Sequence, residues 1–530
     1  MTSHPASHTT TTTSYDVLVV GAGPSGLATA VAATRAGARV LVVERHEGTS
    51  TFPKATGIRP RTMEILRSWG LEDRVRAGGA DLELAAAVSA TLADGQQQDF
   101  SLGVPQPGTL AELSPSTAAV SPQDHLEPVL LEHLRSRGGV VRFGADLVGF
   151  EERGDGLTVR IRPAGGRGGE ERLTVRYVVG ADGAGSTVRR AAGIEERQLG
   201  SEGEHLAVLF RGAVEERIRG RHYALHIVTT PESGVFVPSG TPGRWVYDRA
   251  WSAERDANGP PTTADHAAAI ALAAGMPDLA PEVLAVFRWT FAAAVAERMR
   301  AGRVFLVGDA ARRGPVRGAT GMNTGIADGH NLGWKLGWVV RGWADAVLLD
   351  SYEVERHPVG LRNALGSLEA SDGTKPEDLV HDFGVVYPVP GAGTPPVPES
   401  ALPGAVPGAR APHAWVERAG RRVSMLDLYG DRLTLVTGPS GAAWRHAADE
   451  LADHGFPVAA VTLGLDLGDP TGTAARAYDL GPGSAVLVRP DGHIAWRADA
   501  PPAVALPDLA AAVHAALGRV PAAAPSGAQC

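Results

Sequence analysis

The chain opens its folded part with an unbroken apolar, β-branched run, Tyr15–Val20 (YDVLVV), the pattern of a strand buried on both faces of a parallel sheet. A tight glycine-rich turn, Gly21–Gly26, follows it. Leu27, Ala30, Val31 and Thr34 then recur at helical spacing, which predicts a helix over Ser25–Ala36 with Gly37 as its stop. Arg39–Glu44 (RVLVVE) is a second strand, so the chain starts with a βαβ unit. Val175–Gly180 (VRYVVG) and Arg303–Gly308 (RVFLVG) are runs of the same kind. Between them, Leu206–Asp248 alternates polar and apolar positions in HLAVLFRG, HYALHIVT, GVFVPSG and RWVYD, as half-buried strands do. This predicts an antiparallel sheet inserted into a nucleotide-binding domain. Residues 333–345 (GWKLGWVVRGWAD) predict a helix with Trp334, Leu336 and Trp338 on its apolar side.

The pattern changes after about Ser371. Residues 385–412 are rich in Pro and Gly and read as a linker or an extended wrap. Beyond them come a strand at Leu433–Thr437, a helix at Ala442–His454 and a strand at Val458–Leu463. A hairpin follows, Ser484–Arg489 with His493–Arg497 across Pro490-Asp491-Gly492, and then a last helix at Leu506–Leu517. The order βαβ…ββα is that of a thioredoxin-like domain. Its redox chemistry is excluded, because the one cysteine of the chain is Cys530 and no CxxC pair or disulfide can form.

Composition narrows the classes further. A chain of 530 residues, 44% hydrophobic and 21% charged, is an ordinary globular protein with several cores. Its 50 basic against 59 acidic residues give a formal charge of −9, which argues against a general electrostatic grip on nucleic acid or an anionic membrane. No apolar run approaches the roughly 18–20 residues that span a bilayer. Residues 1–14 form a polar, Thr-rich tail without the features of a secretory signal, so a cytoplasmic location is expected. No metal-ligand spacing and no Ser/His/Asp arrangement stands out, so no metal is expected and no catalytic acid or base is named.

Gly21-Ala22-Gly23-Pro24-Ser25-Gly26 fits GxGxxG between a strand and a helix. The first glycine permits the tight turn, the second lets backbone approach a pyrophosphate, and the third packs helix against strand. The helix N-terminus faces the phosphates. Glu44 ends the second strand, where a carboxylate can hold a ribose hydroxyl of FAD or NAD. FAD is favoured by Gly308-Asp309-Ala310-Ala311 after a buried strand, since Asp309 can accept from a ribityl hydroxyl, or else cap the next turn. The stretch Gly318–Asn323 then leads into a helix whose free amides suit an anionic reduced flavin.

Together these motifs resemble the FAD-dependent aromatic hydroxylases of the para-hydroxybenzoate hydroxylase type, in particular bacterial members that act on aromatic polyketides and carry a thioredoxin-like tail. The resemblance runs from about Tyr15 to Arg519, through GAGPSG, Glu44-Arg45, KATGIRPRTMEIL, SPQDHLEPVLLEHL, GADGAGSTVRR, GRVFLVGDAA and GMNTGIADGHNLGWKL. It implies an α/β fold: a Rossmann-like FAD-binding domain in pieces (15–85, 119–200 and 296–384), an inserted substrate domain (86–118 and 201–295), the linker 385–412, a thioredoxin-like domain (413–519) and a tail (520–530). It also implies that Gly21, Gly23, Ser25 and Gly26 surround the FAD pyrophosphate and that Glu44 holds the adenosine ribose. Arg45 and Arg61 would contact the phosphates or the adenine side, Gln123 the ribityl–phosphate stretch, and backbone near Leu147 the adenine. Asp182 would serve FAD and the passing nicotinamide, and Asp309 the ribityl chain. Gly321, Met322 and Asn323 would lie along the flavin pyrimidine edge. A surface position for Arg61 and a plain helix-start role for Gln123 stay open, and Trp245, Trp251 and Trp289 read as core or rim packing.

The sequence departs from that family after Gly-Asp-Ala-Ala, where Arg312 replaces the usual His, and at Pro315-Val316-Arg317, which replaces a pair of prolines. Arg312, Val316 and Arg317 are therefore candidates for contact with the substrate. The resemblance implies that NADPH or NADH reduces non-covalent FAD, that oxygen adds to form a flavin hydroperoxide, and that a phenolic or polycyclic aromatic ring is hydroxylated. Baeyer–Villiger insertion, dehydrogenation, and a non-catalytic accessory role are the alternatives. The association state is left open, with a homodimer admitted.

Overall fold

The structure is a computed structural model that describes residues 15–79, 82–166, 169–218, 223–230, 232–251, 260–314, 317–369, 378–389, 402–500 and 504–519. The two tails with Cys530, much of the linker, and Val316 with Pro315 lie outside the described residues. So does the side chain of Arg317.

The opening βαβ unit forms as the pattern predicts: β1 (Tyr15–Val20), α1 (Pro24–Arg35) and β2 (Val40–Val43). β1 pairs in parallel with β2 on one side and with β3 (Glu171–Gly180) on the other, Val20 lying beside Val43 and Gly180. The chain thus leaves the centre of the sheet in both directions, and the turn after β1 sits at the switch point where α/β sheets bind ligands.

The inserted domain is built on β4 (Glu196–Arg211), β5 (Arg244–Trp251) and β6 (Glu282–Ala296), antiparallel neighbours in an eight-stranded sheet. This sheet is not wholly antiparallel, because strand Tyr223–Val228 runs parallel to Glu83–Ser89. One face carries Leu206, Val208, Phe210, Trp245 and Tyr247 and packs on helix Thr263–Ala274 through Ile270 and Ala273. The opposite face carries Ala207, Leu209 and Val246 and meets Phe52 of the first domain.

After β6 the chain re-enters the first sheet as β7 (Val304–Leu306), parallel to β3. Helix α2 (Gly321–Val340) then buries nearly all its length, with Trp334, Leu336 and Trp338 each at most 3% exposed. The expected helix over 333–345 is corrected at its end: it stops at Val340, and Gly342 turns the chain at φ +75°. Glycine recurs every fourth residue on α2, and this stripe lies on α1. A Cβ on Gly325, Gly329, Gly333 or Gly337 would come within 2.1–2.6 Å of Ser25, Thr29, Ala32 or Ala36, respectively. The two helices are therefore parallel, nearly in step, and in backbone-to-backbone contact. Helix α3 (Ser351–Glu369) follows.

The C-terminal unit has the predicted order. Leu433–Thr437 pairs in parallel with Val458–Thr462 and antiparallel with Ala485–Val488, which pairs with Ile494–Ala498. Helices Ala442–Asp453 and Ala505–Ala516 cover it. No helix among the described residues is long and apolar enough to cross a membrane.

Candidate active site

The glycines of the first turn have distinct physical jobs. Gly21 has φ +105°, and a Cβ there would meet the Ala181 carbonyl oxygen at 2.3 Å; on Gly26 it would meet the Gly21 carbonyl oxygen at 2.0 Å. Gly23 is different: a Cβ there meets nothing within 4 Å, so the turn faces open space at the start of α1. Ser25 belongs to the turn through its backbone, while its hydroxyl is aimed at Gly308 and Gly325. Glu44, at the end of β2, accepts from the Ala22 amide at 2.8 Å and from the His46 amide at 3.0 Å. Its carboxylate is thus fixed at the lip of the same opening, with Arg45 exposed beside it. The Ala145 amide donates to the Glu44 carbonyl oxygen, which brings strand Ala145–Arg153, with buried Leu147, to the same edge.

Asp309 lies just past β7. Solvent reaches its side chain, yet protein surrounds it closely enough for burial to raise its carboxyl above the ordinary value, against the pull of Arg312, Arg313 and Lys54. Such a carboxylate at the bottom of a cleft is ready for a polyhydroxyl chain. Beyond it, the backbone turns through Gly318 (φ +72°) and Ala319 (φ +53°) into the N-terminus of α2. The left-handed Ala319 is held from both sides. Its carbonyl oxygen accepts from Asn323 Nδ2, and the Gly318 carbonyl oxygen accepts from Arg59 Nη1 at 3.0 Å. Asn323 also accepts from the Arg59 amide and donates to the Gly57 carbonyl oxygen. Its side chain is spent on bracing the loop, which leaves the first amides of α2, at Gly321, Met322 and Asn323, without intrahelical partners. A Cβ on Gly321 would again meet nothing within 4 Å.

An anionic dinucleotide fits this arrangement. The parallel packing of α1 and α2 sets two helix N-termini side by side, each worth about half a positive charge. Open space lies in front of both, with Glu44 at one end and Asp309 deep in the cleft. FAD, when bound, supplies the redox chemistry.

Other expected residues sit differently. Arg61 does not reach toward the opening; its guanidinium donates to Glu64 at 2.8 Å and to the Asp491 carbonyl oxygen at 2.8 Å, at the junction with the C-terminal unit. Gln123 donates its amide to Glu127, whose other carboxylate oxygen accepts from the Ser50 amide. Asp182 braces the start of helix Thr187–Ala191, whose N-cap is Ser186, accepting from Ser186 Oγ and from the Thr187 and Val188 amides. Arg312 is buried rather than solvated. It is 3% exposed, lies against Gly360, donates to the Gly321 carbonyl oxygen at 3.1 Å and faces Asp328 at 3.8 Å. Its positive charge faces Asp328 and acts on Asp309.

Local sequence patterns give no sign of a buried polar chain that ties the Asp309 loop to the C-terminal unit. Asp328 accepts from Arg356 Nε at 2.8 Å, and Arg356 donates to Tyr387 Oη at 3.1 Å. Tyr387 stacks on His493 with ring centroids 4.1 Å apart. Next to it, Glu355 receives Lys335 at 2.8 Å and both guanidinium nitrogens of Arg489, which also grips Asp491. Burial alone would raise the Glu355 carboxyl; Arg489 and Lys335 outweigh it and hold the group well below the usual range. A cavity of about 60 Å³ at this junction is walled by Asn323, Thr324, Arg356, Asn363, Tyr387 and His493. It belongs to the junction and not to the cleft above the glycine turn.

A second feature that the motifs do not reveal lies on the inserted sheet, nearest the cleft. Phe287 packs against Phe52 at 5.7 Å, with Lys54 Nζ 5.4 Å from its ring centroid. Lys54 in turn acts on Asp309. The face of β4, β5 and β6 that bears Phe287, Trp289, Leu209 and Val246 is thus the one turned to the first domain, at Phe52 and Lys54. Phe287 is 38% exposed, so this aromatic face is open.

Fold and cleft define a flavin-dependent hydroxylase. The chain belongs to the aromatic-ring hydroxylases with an FAD-binding domain: the family profile of the FAD binding domain matches residues 14–365, and that of the aromatic-ring hydroxylase C-terminal domain matches residues 404–520. It is 37% identical to the aklavinone 12-hydroxylase RdmE of Streptomyces purpurascens over 95% of this chain and 99% of that protein. It is 36% identical to the tetracenomycin B2 monooxygenase-dioxygenase of Streptomyces olivaceus, over 91% and 95% of the two chains. The crystal structure of aklavinone-11 hydroxylase with FAD and aklavinone superimposes with a TM-score of 0.84 at 34% identity, covering 95% of this chain and 99% of that one.

Proposed function

We propose that this enzyme hydroxylates a polycyclic phenol of the aromatic-polyketide class, using molecular oxygen and FAD reduced by NADPH or NADH, in the cytoplasm. The observation that carries the reading is the open aromatic face of β4–β6, turned to the first domain, whose cleft ends at Asp309 and the N-terminus of α2. Phe287 and Trp289 offer flat apolar area to fused rings, and Phe52 closes one end. The relatives named for aklavinone and tetracenomycin substrates support the same class. In this reading the protein binds the ring, excludes water and fixes its orientation, while the cofactor provides the oxygen chemistry.

The experiment is a screen of polycyclic phenols against the FAD-loaded protein for substrate-stimulated NADPH oxidation, with mass analysis of the product. A gain of one oxygen with retained ring connectivity is the expected result. Two-hydrogen loss without oxygen, or a ring-expanded ester, would replace hydroxylation by dehydrogenation or insertion.

A further inference from the structure

On the open face of the inserted sheet, His205 of β4 and Asp248 of β5 form a pair. His205 Nδ1 lies 2.7 Å from Asp248 Oδ1. The strand register places Asp248 opposite Ala207 and so diagonal to His205 on the same face. Trp289 of β6 lies opposite His205, and its indole Nε1 donates to Asp248 Oδ2 at 2.8 Å. That bond spans β4, and the small side chain of Ala207 leaves it room. Both carboxylate oxygens are thereby committed, which fixes the carboxylate's orientation and, through it, the imidazole's. Trp289 and Phe291 flank the ring at centroid distances of 4.9 and 5.3 Å. His205 remains 22% exposed and Asp248 16%. With Nδ1–H donating to Asp248, Nε2 is an acceptor; it has no protein partner among the described residues. Asp248 is the charged group in contact with the ring, and β6 contributes only aromatic surface there.

Resting on the reading of this cleft as the site of a phenolic substrate, we propose that His205 is the base that takes the phenol proton, with Asp248 and Trp289 as its positioning residues. The substrate O–H bond breaks, the proton forms an N–H bond at Nε2, and the electron pair stays on oxygen as a phenolate. The resulting imidazolium is stabilised by Asp248. The phenolate is the more electron-rich ring for oxygen transfer, and the proton is released to water when product leaves. No further reactant is required. The pair is well placed for such a proton transfer. β4 runs from Glu196, which Arg313 contacts in the loop beyond Asp309, to the Ala207–Leu209 patch under Phe52, and His205 lies between them.

The test uses the FAD-loaded full chain and alizarin, a polycyclic phenol that is yellow when neutral and red as its anion. At a pH where free alizarin is yellow, the wild type is expected to bind it as the red anion. His205→Gln should bind it yellow or about tenfold or more weaker, and should lower phenol-dependent kcat by about 10²-fold or more. KM should change much less than kcat. Asp248→Asn, which keeps shape but can donate to Nδ1 and so leave Nε2 protonated, should lose the red form and the rising limb of the pH–kcat profile. Wild-type protein that binds the dye yellow, or variants that match its colour, affinity and kcat, would overturn the assignment and leave hydroxylation standing. If no phenol stimulates NADPH oxidation and alizarin does not bind, the hydroxylase reading fails, and the assignment of His205 falls with it.

Discussion

The two α/β units of this chain end their strands in opposite ways. At the switch point of the N-terminal unit, Gly23 and Gly321 face open space, and Asp309 waits at the bottom of a cleft. In the C-terminal unit the hairpin turn around Asp491 is driven into the neighbouring domain, where Arg489, Asp491 and Glu355 make a buried knot with Lys335 and Asn331. A similar layered architecture makes a site where glycines keep room and a brace where charges fill it.

The comparison breaks most easily at the knot. Glu355→Ala leaves Lys335 and Arg489 buried without their carboxylate, which should cost about 3–5 kcal/mol; chemical denaturation of the FAD-loaded protein measures it. A loss below 1 kcal/mol would mean that the charges do not brace the junction. The same group gives the acid response. Its folded pKa is depressed, so its stabilisation is complete above the unfolded value and is lost as pH falls from about 4.5 toward 2. Trp334, whose indole donates to Asp491 at 3.2 Å, should report that transition by fluorescence, before or with global unfolding.

A smaller effect is expected on the open side. Gly333→Ala places a methyl 2.5 Å from Ala32 Cβ and 2.8 Å from the Ala33 amide nitrogen, and overpacking of this kind costs about 1–3 kcal/mol. FAD retention should fall along with stability, because both helix N-termini move. Asp309→Ala should instead spare the fold and weaken FAD by about 1–3 kcal/mol, leaving ribityl hydroxyls unpaired; equilibrium dialysis or flavin fluorescence reads it. Unchanged affinity would remove Asp309 from the site. The smallest effect is that of Asp182→Ala, which removes the acceptor of the Thr187 and Val188 amides and of the N-cap Ser186 hydroxyl and should cost about 1 kcal/mol in thermal denaturation. Complete loss of flavin in that variant would show that the carboxylate serves the cofactor and not only the cap.

Local chemistry is legible in the chain, and long-range pairing is not. The βαβ start, the glycine turn, Glu44, Asp309 and the cysteine-free C-terminal unit all follow from patterns that span a few residues. The motif around Arg61 points it toward the cofactor, but its partner Asp491 lies 430 positions away. Arg312 stands out in the sequence by its place just after Asp309, and only the fold shows that it is buried against Asp328 and Gly360. The His205–Asp248 pair is partly within reach of the sequence: HLAVLFRG and RWVYD are recognisable as strands, and in the observed register, with Ala207 opposite Asp248, the two lie on one face. The missing step is the register: two further strands, Tyr223–Val228 and Gly234–Pro238, lie between the pair in the chain, so no single turn fixes it.

The glycine stripe on α2 has a consequence for the cofactor. Because Gly325, Gly329, Gly333 and Gly337 bring the helix into direct register with α1, the distance between the turn at Gly23 and the loop at Gly321 is fixed by backbone, the least compressible material in the protein. The pair works as a gauge. A molecule that contacts both helix starts meets a spacing cut by four missing side chains.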